Sequence, residues 1–409
     1  MHAQLCLHRH RASRHGAPAM GAHLVDCKEQ VAHLARQGHR VGLMKRETKT
    51  IAVLGTRGFP GVQGGVETHC QHLYPLMPQL HFRVYRRKPY LTDQSQASYD
   101  NIDFIDWPST RIQGLEAAWH TLRAALHCMR HRPALVHVHN MGPAVLALPV
   151  KLVGIPVVMT YHSVNYEHNK WGRVSRWLLR LSERLSLRYC DRVIFVNRLR
   201  MSLFDDDYPD KCVYLPNGVD PVEPTTETDF LDKHGIKPRH YVLAVGRISS
   251  EKGFEHLVKA VNASDSVECL VIAGQYDHND SYLKKLKALD IKQKMVLTGY
   301  AGGDDLNQLY SHARLLALPS LSEGFPMVLL EAMAHRLPIV ASDIGATRQV
   351  QLPDECYCTP GDATDLQRAI DCQLAWDYAP VDYDLSSYDW PSIAHRTQQV
   401  FAELLSSEQ

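Results

Sequence analysis

Ser322-Glu323-Gly324-Phe325-Pro326-Met327-Val328-Leu329-Leu330-Glu331-Ala332 holds two carboxylates with seven residues between them. The preceding run Leu315-Leu316-Ala317-Leu318-Pro319-Ser320 reads as a short buried strand, and Pro326 suits the first turn of a helix, where a missing N–H costs nothing. Glu323 then falls in the loop before that helix, and Glu331 lies about two turns into it. A helix N-terminus preceded by glycine offers free backbone N–H groups and the positive end of a dipole to a phosphate. Carboxylates beside it accept hydrogen bonds from sugar hydroxyls, so the spacing points to a sugar-nucleotide site. It also fits an amphipathic helix with one exposed glutamate at each end.

Other residues have chemistry of their own. Gly55-Thr56-Arg57-Gly58-Phe59-Pro60-Gly61 and then Gly64-Gly65 form a glycine-rich loop after an apolar run. Gly64 and Gly65 let the backbone come close to a phosphate or an acceptor, and a helix over about 66–77 supplies N–H groups. The loop lacks Gly-Lys-Ser/Thr and is no clean GxGxxG, which disfavours a P-loop and a nicotinamide site. His162 follows the strand 157–161 and projects into the space beyond its C-terminal end; His137 and His139 share one face of another strand and read as structural. Arg83, Arg86, Arg87 and Lys88 serve either an anionic group or a solvated loop. Asp382-Tyr383-Asp384 lies in a Pro- and Ser-rich stretch and residues 205–207 lie beyond a helix, so no essential metal is expected.

A pair of α/β units must position these groups. Strand signals at 51–55, 82–85, 135–139, 157–161 and 192–196 alternate with helices, and a second series at 241–246, 268–273, 295–298, 315–318 and 339–342 follows a Pro- and Thr-rich linker at 221–228. The expected fold class is α/β: two Rossmann-like doubly wound domains, 50–220 and 221–390, facing across a cleft at their strand ends. The segment 391–409 carries a last helix, which packs on either half and, if on the first, crosses back to it.

Composition agrees. A chain of 409 residues is long for one core, and 45% hydrophobic against 22% charged residues marks it as globular. Ten scattered cysteines without CxxC pairs suit reduced thiols and a cytoplasmic location. The apolar stretch 141–161 contains Lys151 and three prolines, so no transmembrane helix is expected. Residues 1–49 hold nine Lys or Arg, three Asp or Glu and seven of the 24 histidines. With no persistent period they read as an N-terminal extension, either a disordered tail or, over 1–43, sequence upstream of a natural start at Met44.

With Glu323 and Glu331 in a second Rossmann-like half, the chain from residue 50 onward resembles the retaining glycosyltransferase family 4, which has the GT-B fold. Gly246-Arg247 with Glu251-Lys252-Gly253 is similar to that family's strand-end cation pair, Pro216-Asn217-Gly218-Val219-Asp220 to its interdomain turn, and residues 323–331 to its two-glutamate motif. Gly55-Thr56-Arg57-Gly58-Phe59-Pro60 followed by Gly64-Gly65-Val66-Glu67-Thr68 resembles a bacterial subgroup containing rhamnosyltransferases of surface-polysaccharide assembly. Gln63 stands where that subgroup often has an aromatic, and Tyr161-His162-Ser163 replaces the commoner Thr-x-His-Gly or His-Asp ending.

The resemblance implies a transferase that moves a sugar, rhamnosyl as the first expectation, from a nucleoside-diphosphate sugar to a saccharide acceptor. It implies that Arg247 and Lys252 neutralise the donor diphosphate beside Gly246, and that Glu331 holds the ribose hydroxyls. Glu323 and the N–H groups of Gly324 and Phe325 would hold the donor sugar, with His162 near it. No cofactor, metal or covalent nucleophile is implied. A nucleotide-sugar epimerase or phosphorylase of related architecture, or a catalytically silent saccharide-binding protein, would share the fold.

Residues 170–188 place Lys170, Arg173, Arg176, Arg180, Arg184 and Arg188 opposite a stripe of Val174, Trp177, Leu178, Leu181 and Leu185, with Glu183 the one acid. Beyond residue 49 the chain has 36 basic and 41 acidic residues, a net charge of −5. A +5 helix with Trp171 and Trp177 on such a body fits peripheral docking on anionic lipid, with a polyprenyl-linked saccharide as acceptor at the inner face of the plasma membrane. It also fits an ordinary helix with its stripe in the core. Without a global basic excess or a recognition motif, nucleic acid is not an expected partner.

Overall fold

Runs such as Ile-Ala-Val-Leu and Val-Val-Met-Thr-Tyr are apolar at consecutive positions, so the sheets they form need helices on both faces. In the computed structural model, which describes residues 49–110, 115–163, 173–275 and 280–406, they build two such sheets. The first contains β1 Thr50–Leu54, β2 His81–Arg87, β3 Ile102–Trp107, β4 Leu135–His139, β5 Val157–Tyr161, β6 Arg192–Phe195 and β7 Cys212–Tyr214. Its strands are all parallel in the order β3-β2-β1-β4-β5-β6-β7. The second contains β8 Tyr241–Val245, β9 Cys269–Ala273, β10 Met295–Gly299, β11 Leu315–Leu318, β12 Ile339–Ser342 and β13 Tyr357–Cys358, parallel in the order β10-β9-β8-β11-β12-β13. Both orders reverse direction beside the first strand of their sheet, the switch point where doubly wound folds bind ligands. The two sheets belong to one compact unit, Thr48–Gln409.

Period-two alternation divides each core. Ile51, Val53, Phe82 and Val84 face one layer, while Ala52, Leu54, Val136 and Val138 face the other. The final helix, Trp390–Ser406, follows the second sheet in sequence but packs into the first half, where Trp390, Ile393, Phe401 and Leu405 meet Cys70, Leu73 and Tyr74. Burying Phe401 alone is worth roughly 1.5–3 kcal/mol, which explains why the chain returns. Lys49 Nζ also donates to the Leu405 carbonyl at 2.7 Å.

Strands β3, β7 and β13 escape the sequence pattern. In β3 the residues Asp103 and Asp106 interrupt the apolar run, and both are paired from the neighbouring strand, with His81 at 2.9 Å and Arg86 at 2.7 Å. The helix expected over 66–77 spans Gly65–Leu73, then tightens into a 3₁₀ turn, Tyr74–Leu76, at Pro75. Apart from Lys49, the expected extension at 1–49 lies outside the described residues, as do Lys170 and Trp171. Among the described residues the cysteines are all free thiols, and no helix is long and apolar enough to cross a membrane.

Candidate active site

The loop after β8 and the loop after β11 are pressed together. Gly253 turns the first of them at φ 65° and opens the helix Phe254–Ala263; a Cβ there would meet the Pro319 carbonyl oxygen at 2.2 Å. This contact brings Lys252 Nζ to 2.6 Å from Glu323 Oε1, which also accepts from Ser320 Oγ at 2.7 Å. Lys252 lies across Gly246, and Arg247 approaches Glu251 at 3.8 Å. Pro326 caps the next helix, Met327–Ala334, instead of standing in its first turn, so Phe325 and Gly324 belong wholly to the loop. Glu331 lies on that helix; burial pushes its carboxyl up, and it accepts a 2.6 Å hydrogen bond from Tyr310.

Gly324 is one of the points where the two halves touch. A Cβ on it would stand 1.7 Å from the His162 carbonyl oxygen, which no side chain permits. Asn197 Nδ2 donates to the Gly324 carbonyl at 2.8 Å, and Asn217 Nδ2 to the Phe325 carbonyl at 3.2 Å. The first half thus holds the loop of the second by two side-chain amides. Asn217 Oδ1 in turn meets His69 Nδ1 at 2.9 Å, tying this contact to the helix Gly65–Leu73.

Behind His162 lies a chain of buried hydrogen bonds. His162 Nε2 pairs with His139 Nδ1 at 2.9 Å, His139 Nε2 with Tyr74 Oη at 2.7 Å, Tyr74 Oη with His137 Nδ1 at 2.8 Å, and His137 Nε2 with Thr160 Oγ1 at 2.7 Å. His137 and His139 are therefore structural in the sense of being buried and partnered, yet His139 also orients the ring of His162. Burial, reinforced by the neighbouring imidazoles, holds His162 and His139 well below the usual histidine range, His69 at about 4 and His137 at about 3. Their folded-state values lie below the unfolded value, so their contribution to stability is present above pH 6.5 and is lost as pH falls toward the folded values. The urea midpoint is expected to drop between pH 6.5 and 5, before most carboxylates titrate, with a slope of about 1.4 kcal/mol per pH unit for each proton taken up on unfolding. A midpoint flat over that window would mean that the rings take up protons in the native protein as readily as in the unfolded chain.

In the first half, Gly64 caps the helix Gly65–Leu73 at φ 153°, whereas a Cβ on Gly65 would meet nothing within 4 Å. At Gly64 a Cβ would meet the Glu67 carboxylate, and both glycines border the cavity described below. Glu67, at the third helical position, reaches back so that Oε1 accepts from the Arg57 N–H at 2.9 Å and from Thr56 Oγ1 at 3.3 Å. An acid in the first turn of a helix is a helix-start signal that spacing makes visible. Asn197 and His69 carry no such signal. Arg86, which the sequence offers to a ligand's anionic group or to a solvated loop, is instead taken up within the fold. It is buried, forks onto Asp106 at 2.7 and 2.8 Å, and donates to the carbonyls of Phe59 and Ser95.

Gly246, Arg247, Lys252, Glu323, Gly324, Phe325 and Glu331 from the second half border the same cavity, of about 1600 Å³, as Gly64, Gly65 and His162 from the first. These residues, each singled out from the sequence, thus meet in one place. Among the described residues no group of three or more His, Cys, Asp or Glu is arranged to hold a metal ion. The helix Arg173–Tyr189 turns Glu183 inward to Tyr161 and Arg200, and leaves Trp177 62% and Leu178 50% exposed.

The paired parallel sheets, with a cleft at their strand ends, have the architecture of the GT-B fold. The two halves match separate family models. Residues 63–223 match "Glycosyltransferase Family 4" and residues 227–375 match "Glycosyl transferases group 1". An uncharacterized glycosyltransferase of Methanocaldococcus jannaschii is 29% identical over 47% of this chain and 54% of its own length, so the chain spans about half of that relative. Alpha-D-kanosaminyltransferase of Streptomyces kanamyceticus is 26% identical over 58% of this chain and 68% of its own. Among solved structures, sucrose-phosphate synthase of Thermosynechococcus elongatus superposes with a TM-score of 0.74 at 21% identity, covering 88% of this chain and 100% of that one, which supports the fold.

Proposed function

We propose that this chain is a retaining glycosyltransferase that moves a sugar from a nucleoside-diphosphate donor to a saccharide hydroxyl. The observation that carries the reading is the convergence of Arg247, Lys252, Glu323 and Glu331 on one cavity that also reaches His162. In the proposed reaction the acceptor oxygen bonds to the anomeric carbon as the bond from that carbon to the diphosphate oxygen breaks. The acceptor proton passes to the departing phosphate, so the sugar stays on its original face. Arg247 and Lys252 meet the charge that grows on the diphosphate, a role a divalent ion would otherwise fill. Glu331 takes the ribose hydroxyls, Glu323 and the N–H groups of Gly324 and Phe325 take the sugar, and neutral His162 contributes hydrogen bonding and position.

Relatives in the family transfer kanosaminyl and mannosyl groups. A rhamnosyl donor remains the specific proposal here, drawn from the resemblance around residues 55–68, as does a role in cell-surface polysaccharide synthesis. The acceptor is proposed to be lipid-linked and met at the cytoplasmic face of a membrane, because the helix Arg173–Tyr189 leaves Trp177 and Leu178 in water beside exposed Arg173, Arg180 and Arg184. Co-sedimentation with anionic but not neutral vesicles is the test; equal recovery with both would end the membrane part.

The first experiment is a thermal-shift and calorimetric screen against dTDP, UDP, GDP and ADP with their sugar conjugates, since a ligand that binds only the folded state raises the midpoint. One nucleotide is expected to stand out, and Glu331→Ala to weaken it about 10-fold or more, as for lost hydrogen bonds to a charged group. No response to any nucleotide in folded protein would defeat the transferase reading in favour of a silent binding protein.

A further inference from the structure

Arg86 and Arg87 are neighbours on β2 and leave the strand on opposite faces. Both are buried, at 6% and 5% exposure, and there the likeness ends. Arg86 is satisfied by four acceptor atoms. Among the described residues no acceptor comes within hydrogen-bond reach of the Arg87 guanidinium; its Nε is buried without a partner, and its nearest carboxylate, Glu116, stands 3.7 Å from Nη1. Glu116 is itself engaged by the Tyr90 hydroxyl at 2.6 Å. The other carboxylate on this side, Glu67, is occupied by Thr56 and the Arg57 N–H.

Arg87 borders the large cavity, and so does Arg57, whose guanidinium lies over the Tyr90 ring at 4.8 Å with no carboxylate pairing it among the described residues. A buried guanidinium with an unused donor carries an uncompensated desolvation cost, and a second cation nearby adds repulsion. Burial, with Arg57 opposing Glu116 and Glu67, lowers the Arg87 value. An anion in the cavity would answer both at once, since arginine forks match phosphate oxygens in bidentate geometry. The backbone after Gly61 and the helix starting at Gly65 border the same space.

The geometry points to Arg57 and Arg87 as an anion subsite that holds a phosphate ester on the acceptor, in the half of the cavity opposite Lys252 and Glu323. Assigning that half to the acceptor rests on the donor reading above; the anion binding itself does not. Two acceptors share this chemistry, a water-soluble sugar phosphate and a saccharide joined to a lipid through phosphate.

Inorganic pyrophosphate is the probe, titrated by calorimetry into the full chain saturated with whichever nucleoside diphosphate binds, so that the donor's own diphosphate site is filled. A further equivalent is expected to bind, weakened about 10- to 100-fold in Arg87→Met and in Arg57→Met, as charged hydrogen bonds are lost. Arg130→Met, on an exposed helical position, is expected to leave that affinity unchanged. No pyrophosphate binding to nucleotide-saturated wild type, or binding that Arg87→Met does not weaken, overturns the subsite and leaves the donor reading standing. If no nucleoside diphosphate binds, the donor reading fails alone, and the same titration without nucleotide decides the subsite by the same criterion. Transfer assays then separate the sources. Turnover of hexose phosphates in solution names the soluble acceptor, turnover only of a lipid-diphosphate saccharide in vesicles names the lipid, and equal kcat/KM for phosphorylated and dephosphorylated acceptors overturns the proposal.

Discussion

Lys252→Met is expected to lower kcat by about 10²–10³, the range for removing one group that stabilises developing transition-state charge. Lys252 Nζ sits 2.6 Å from Glu323 Oε1, with side-chain exposures of 16% and 11%, so the pair is largely withdrawn from water. On the proposed reading, the diphosphate of an entering donor would compete for the ammonium and free Glu323 for the sugar. The variant loses the cation and leaves Glu323 with Ser320 as its remaining hydrogen-bond partner, which should also cost about 1–3 kcal/mol of stability. Adding Glu323→Gln removes the unpaired charge. The double variant should therefore regain most of the stability while its kcat stays low, and the cycle separates the two effects. Wild-type kcat in Lys252→Met, measured with the donor chosen by the binding screen, would remove Lys252 from the catalytic set.

Gly324→Ala is expected to reduce kcat/KM by about 10²-fold, the loss associated with displacing reacting groups by about 1 Å. The added Cβ would stand 1.7 Å from the His162 carbonyl oxygen and 3.2 Å from Ser163 Cβ. The first of these is backbone at the end of β5 and cannot swing aside, so either the loop or the whole second half must retreat. Retreat breaks the hydrogen bonds from Asn197 to Gly324 and from Asn217 to Phe325, which hold the loop that carries Glu323. Steady-state kinetics give the size of the effect, and small-angle scattering distinguishes the routes, since separation of the halves increases the radius of gyration while a local loop shift does not. Unchanged turnover would show that the contact between the halves is incidental to the reaction.

The folding signals are mostly local. β1, β5, β8 and β11 are almost continuous apolar runs, and a fully buried parallel strand announces itself in that way. Lys252 and Glu323 stand in loops that follow strands and Glu331 lies on the helix after the second loop, so their shared location at the switch point is legible from the order of strands and helices along the chain. The failures are also physical. β3 is hidden because Asp103 and Asp106 break its apolar pattern, and their cations, His81 and Arg86, lie on another strand. Arg86 and Arg87 are identical in type and adjacent in sequence. Their different surroundings follow from strand alternation and from which acceptors happen to surround each face, and neither is written in the run Arg83 to Lys88.

By itself the sequence determined the two α/β halves, the glycine-rich loop and the pair of glutamates, because buried strands, helix starts and tight turns are set by neighbours a few residues apart. Tertiary structure alone decided that Lys252 meets Glu323 across 71 positions, that His69, His139 and His162 converge from three elements, and that the last helix closes the first core. Those pairings depend on strand order and on where loop ends fall in space, and a period of two or 3.6 residues carries no information about either.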